Sequence, residues 1–130
     1  MQKKQLNILI QLATIDSDLA GKELKLIETI ANASGLSDED IKELIRKPEP
    51  IGDLNTLTDE ERFEYLYLVI QLMKVDGQVF KSEINFCEDI AEKLGYKKGV
   101  VAELSKNIYS DPTITADRVM LKQKAVKYKA

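Results

Sequence analysis

Four carboxylates recur at matched places in this chain: Asp16 with Glu23 and, sixty positions later, Asp76 with Glu83. In each pair the aspartate closes an apolar stretch and the glutamate opens an amphipathic one. Facing turns that carry Asp and Glu offer a hard divalent cation the several oxygen ligands it needs. The same spacing has a structural use. A glutamate at the third position of a helix reaches back to the N-cap amide, and an aspartate before a helix start satisfies its turn. Capping and a cation site therefore compete for all four residues. A calcium EF-hand fails on spacing. Asp16, Asp18 and Gly21 fit its positions 1, 3 and 6, but its twelfth is Ile27, where a bidentate glutamate is required.

Most other chemistry is excluded by composition. Histidine and tryptophan are absent and Cys87 is the only cysteine. That removes Ser-His and Cys-His nucleophile pairs, histidine-based zinc sites and any internal disulfide. No glycine-rich phosphate loop or cofactor fingerprint is present, so an enzyme would have to work with carboxylates alone. The net charge of −3 argues against nucleic acid, whose binding calls for a basic face. One segment departs from this balance. From Arg118 onward, Arg118, Lys122, Lys124, Lys127 and Lys129 are accompanied by no acid. Such a segment could meet a protein partner, an anionic membrane surface or the body of its own chain; a solvated helix face is the plainer alternative.

The elements that must position these groups are helices. Residues 10–46 laid over 70–106 without a gap give 11 identities in 37 positions, among them Gln11/Gln71, Gly35/Gly95 and Leu44/Leu104. This predicts an internal duplication, with copies at about 5–46 and 63–106 joined by a linker at 47–57. In each copy the first helix (3–16, 59–76) is apolar nearly all round, as a central helix must be. The second (20–34, 80–94) is amphipathic and runs into Gly35 or Gly95, where a left-handed C-cap is wanted. The third spans 38–46 or 98–109, and Thr58 with Glu61 forms a capping box. Pro48, Pro50 and Gly52 mark the linker as a surface loop. A final helix starts near Thr115. No segment alternates with period two. The expected fold is thus an all-α bundle of about seven helices, two copies of a three-helix unit related by a pseudo-twofold axis. Residues 1–110 form the domain, and a basic helix in 111–130 packs on it or extends from it.

Within the apolar helices, Gln11 and Gln71 need partners, either each other across the axis or turn backbone. Cys87 aligns with Ile27 on a core face and reads as a small hydrophobe. Tyr67 reads as packing, with the edge of a binding surface as the alternative. No run of apolar residues approaches the length of a membrane span. The apolar stretch after Lys3 and Lys4 is interrupted by Asn7 and Gln11 and belongs to the repeat, so it is not expected to be a signal peptide. The expected location is the cytoplasm.

The segment Val75-Asp76-Gly77-Gln78-Val79-x-x-x-Glu83, set between an apolar helix and an amphipathic one ending at Leu94-Gly95, resembles the tellurite-resistance TerB-like family. The resemblance covers about residues 5–110. It implies a duplicated helical bundle with an acidic, metal-binding site, of a kind also related to membrane-linked J-domain co-chaperones. The family's Ser/Thr position is Phe80 here and Ala20 in the first copy, and Ser17 stands where the glycine matching Gly77 would be. The resulting expectation is a non-enzymatic binding or scaffold module of the stress-response type, acting through protein contacts. A divalent-cation sensor using Asp16, Glu23, Asp76 and Glu83 is the alternative, and a carboxylate-only enzyme comes third.

Overall fold

Local signals fix where the helices begin and end. The computed structural model describes residues 2–15, 21–52, 54, 56–75, 81–108 and 117–129, without the side chains of 2 and 21–23. Among these residues seven helices follow one another: α1 (Gln2–Ala13), α2 (Gly21–Ala33), α3 (Asp38–Arg46), α4 (Asp59–Lys74), α5 (Lys81–Lys93), α6 (Gly99–Ser105) and α7 (Arg118–Val126). No strand occurs among the described residues; an isolated bridge joins Tyr96 to Lys129. The all-helical class is therefore as expected. The capping box at Thr58 forms as predicted. The Thr58 N–H donates to Glu61 Oε1 at 2.9 Å, and the Glu61 N–H donates to Thr58 Oγ1 at 3.2 Å. Ser37 and Asp40 build a second box at the start of α3. There the Asp40 carboxyl is held below its usual range, chiefly by the Ser37 N–H it accepts.

Gly35 and Gly95 end α2 and α5 at φ values of 79° and 89°, the described residues' only left-handed glycines. Behind each, the next N–H closes back on the helix. Leu36 donates to the Ala31 carbonyl and Tyr96 to the Ala91 carbonyl, both at 2.9 Å. This is the Schellman pattern that a left-handed residue makes possible. It turns the chain sharply into α3 and α6.

The core lies between α1 and α4. Leu6, Leu9, Ile10 and Leu12 meet Leu66, Val69, Ile70 and Leu72, all essentially excluded from solvent. The amphipathic helices close over them with Ile27 and Ala31 from α2 and Cys87, Ile90 and Ala91 from α5. Within 2–46, α1, α2 and α3 pack on one another, as α4, α5 and α6 do within 59–105. The third helices add Ile41 and Leu44, then Val100, Val101 and Leu104. α6 is shorter than the predicted 98–109: it starts one residue later, where Lys98 supplies no side-chain cap, and ends at Ser105. α7 then packs on α6, burying Leu121 and Ala125.

Candidate functional site

The acidic turns fall largely outside the described residues: Asp16 and Asp76 lie there, and of Glu23 only the backbone is described. Glu23 and Glu83 are both third residues of their helices, α2 and α5, the position at which a glutamate suits the positive helix end. Glu83 is buried, at 6% exposure, and engaged in an interaction. Among the described residues no group of three or more acidic, cysteine or histidine side chains is placed to hold a metal ion.

The basic segment folds onto the body. Asp117 caps α7 by accepting the Met120 N–H at 3.1 Å. One side of the helix then meets the acidic first turns of α4. Arg118 pairs with Glu64, Lys122 with Glu60 at 3.0 Å, and Lys129 with Asp59 at 3.3 Å. The Arg118 guanidinium also lies 4.1 Å from the centre of the Tyr67 ring, and the Lys122 ammonium 5.6 Å from that of Phe63. Both rings are buried, while the two cations that face them stay about 40% exposed, the solvated form of the contact and the weaker one. Tyr67 thus packs in the core and edges this contact at once. Lys97 N–H donates to the Tyr128 carbonyl at 2.6 Å, tying the end of the helix to the turn after Gly95. Burial pushes the Tyr96 hydroxyl above its ordinary pKa, with nearby Asp59 adding to the shift. Lys124 and Lys127 enter no ion pair among the described residues; Lys127 is exposed and Lys124 half-buried.

A second feature comes from the polar residues of α1. Asn7 is buried at 3% exposure and grips the peptide of Glu49 at both ends. Its Nδ2 donates to the Glu49 carbonyl at 2.9 Å, and the Glu49 N–H donates to its Oδ1 at 3.1 Å. Gln11, one turn on, donates to the same carbonyl at 2.6 Å and to Asn7 Oδ1 at 3.3 Å. Gln11 therefore takes turn backbone, the second of its two expected partners, and Gln71 is buried in α4. The clamp fixes Pro48 and Pro50 as one wall of an open groove of about 440 Å³. Thr14 and Ile15, at the end of α1, and Phe86 of α5 line its other sides. Ile15 is one of only four large apolar side chains exposed among the described residues.

Two further groups complete the picture. Lys74, aligned with Thr14, donates to the carbonyls of Ser105 and Ile108 and so ties the end of α4 to the end of α6. Burial lowers its pKa from the ordinary lysine value. Cys87 is fully buried with its Sγ 3.7 Å from the Val69 carbonyl; burial, and then Glu83 and Glu88, push its thiol far above the reactive range. Asn7 was legible only as a polar interruption, and Lys74 gave no signal at all. The signal for Asn7 was its i, i+4 spacing from Gln11 on one helix face. Compared with known proteins, the chain matches no family model, no curated protein and no solved structure.

Proposed function

We infer that this chain is a non-enzymatic helical binding module that acts through protein–protein contacts. The observation that carries this reading is the groove beside α1. Its wall is a proline-containing loop held by three hydrogen bonds between the Asn7 and Gln11 side chains and the Glu49 backbone, with a fourth joining the two side chains. An ordered wall facing exposed Ile15 and half-buried Phe86 presents a concave apolar surface with few ordering losses left for binding. The resemblance of Val75 to Glu83 to TerB-like proteins supports the same role, as does the 11-in-37 identity between 10–46 and 70–106, which we attribute to duplication of a three-helix unit.

The test places a photo-crosslinking residue at position 15 of the full chain in its native host, with position 93 as an off-groove control. A discrete adduct from position 15 that Phe86→Asp abolishes is the expected result. No adduct from position 15, or equal adducts from both positions, overturns the groove as the contact surface.

The divalent-cation reading rests on the recurrence of Asp16 and Glu23 as Asp76 and Glu83 sixty positions later. It predicts that calcium, magnesium, zinc or manganese raises the melting temperature at neutral pH and that Asp16→Asn/Asp76→Asn removes the rise. A melting temperature indifferent to all four cations refutes it.

A further inference from the structure

The underside of α7 shows what its seat accepts. Leu121 and Ala125 enter the core, while Arg118, Lys122 and Lys129 reach an acidic rim formed by Glu64, Glu60 and Asp59. Beneath the rim lie the rings of Tyr67 and Phe63. An acidic rim over an aromatic floor complements a helix with cations at i and i+4 and aliphatic residues at i+3 and i+7. α7 does not fill this seat. An open cleft of about 140 Å³ runs along its edge, between Asp59, Glu60, Phe63 and Tyr96 of the body and Lys122, Val126 and Lys129 of the basic segment, and Val126 itself is 60% exposed. The ion pairs that hold the helix are solvent-accessible on both sides, so each is weak and screened by salt. A nine-residue helix is also too short to persist when undocked. What holds the helix is then the burial of Leu121 and Ala125 and the Lys97–Tyr128 backbone bond, contacts that a second helix with the same apolar face would also make.

We propose that the seat formed by α4 and α6 is a receptor for a basic amphipathic helix of a partner protein, and that α7 is its resident competitor. This surface is separate from the groove beside α1, and the proposal stands without that groove. A partner helix with the same cation spacing and a larger aliphatic side chain in place of Val126 fills the cleft and displaces α7. Its apparent affinity is set by the fraction of molecules in which α7 has left the seat.

The probe is a fluorescein-labelled peptide with the sequence of residues 117–129 carrying Val126→Leu, titrated into the full-length chain. Arg118→Gln/Lys122→Gln removes two cis ion pairs and two cation–ring contacts. This variant is expected to bind the probe roughly tenfold more tightly than the wild type. Glu60→Lys/Glu64→Lys, which reverses the rim, is expected to abolish binding. Equal affinity of the wild type and the loosened variant, binding that survives rim reversal, or no binding by any of them overturns the proposal. Should the loosened variant not fold, the wild type carries the test alone. Saturating probe must then shift the amides of Phe63, Tyr67 and Tyr96 and release the Met120 amide from its cap. The absence of those shifts up to roughly millimolar probe overturns the proposal. Light scattering adds one more outcome: a dimer whose formation blocks the probe assigns the seat to α7 of a second copy and overturns the partner-protein reading.

Discussion

The amide clamp between α1 and the linker makes a quantitative prediction. Asn7→Ala removes both bonds to the Glu49 peptide, at 2.9 and 3.1 Å, from a site where the asparagine is 3% exposed. At about 0.5–1.5 kcal/mol for each net hydrogen bond, the loss comes to about 1–3 kcal/mol. Gln11→Ala, whose bond to Glu49 lies nearer solvent, should lose only about 0.5–1 kcal/mol. The two changes should not add. Once Asn7 is gone the linker moves away from α1 and the Gln11 bond goes with it, so the double variant should be little worse than Asn7→Ala alone. Urea denaturation measures all three differences, with the midpoint falling and the slope unchanged. Amide exchange supplies a local readout, because the Glu49 N–H, protected by Asn7 Oδ1, should exchange faster in both variants that lack Asn7. The reasoning is refuted if Asn7→Ala costs less than about 0.5 kcal/mol while Glu49 keeps its protection, or if the two single losses sum in the double variant.

Three further expectations concern two buried side chains and the two left-handed glycines. Cys87 should resist thiol reagents at pH 8 in the folded chain and react fully in urea; stoichiometric labelling of the native protein would contradict its burial. Burial, then Glu61, push the Tyr65 hydroxyl up to about 12 from an ordinary 10.0. The native state therefore holds that proton more tightly than the unfolded chain, and stability should fall as pH rises from 10 toward 12, by roughly 1–2 kcal/mol. Tyr65→Phe should remove that part of the decline in urea melts, and an identical alkaline slope in the variant would refute the assignment. Gly35→Ala and Gly95→Ala should each lose about 1 kcal/mol or more, since both residues sit at positive φ. The second should be the worse, because an added Cβ would stand 3.3 Å from the Arg62 guanidinium whereas nothing lies within 4 Å at Gly35. Thermal melts that rank them in the opposite order would count against this account.

Helix starts and stops were legible because their signals are local. Thr58 with Glu61, and Gly35 and Gly95, act within one turn of themselves, and each does in the structure what its type demands. The core followed from apolar periodicity, which Cys87 obeys as plainly as Ile27. Tertiary polar contacts were not legible. Asn7 looked like a defect in an apolar helix because its partner, the Glu49 peptide, lies 42 residues away. Lys74 likewise gave no hint of its two carbonyls, 31 and 34 residues further along the chain. Nothing in a sequence says which backbone groups a distant loop will present, since packing decides it. The acid pairs at 16, 23, 76 and 83 differ again: their spacing is consistent with both capping and ligation, so sequence alone could not choose between them.

The charge asymmetry of the chain was visible from the start, and the structure shows where it is spent within the molecule. Acids crowd the first turns of α4, as Asp59, Glu60 and Glu61, and there they already complement the positive end of that helix. Glu60 and, one turn on, Glu64 also receive cations of α7, and Asp59 receives Lys129 just beyond it. One acidic face thus serves two elements. Exposed pairs of this kind contribute at most about 1 kcal/mol each, well below the 1.5–3 kcal/mol that burying a side chain such as Leu121 contributes. Their effect is therefore more on register than on stability: they decide how far along α4 the short helix α7 lies, and apolar burial holds it there. Rising salt should for that reason loosen the two ends of α7 before its centre. Amide exchange at Met120, capped by Asp117, and at Tyr128 should quicken between roughly 0.05 and 1 M salt while Leu121 stays protected. Uniform exchange along the helix would show that the pairs hold α7 in place rather than align it.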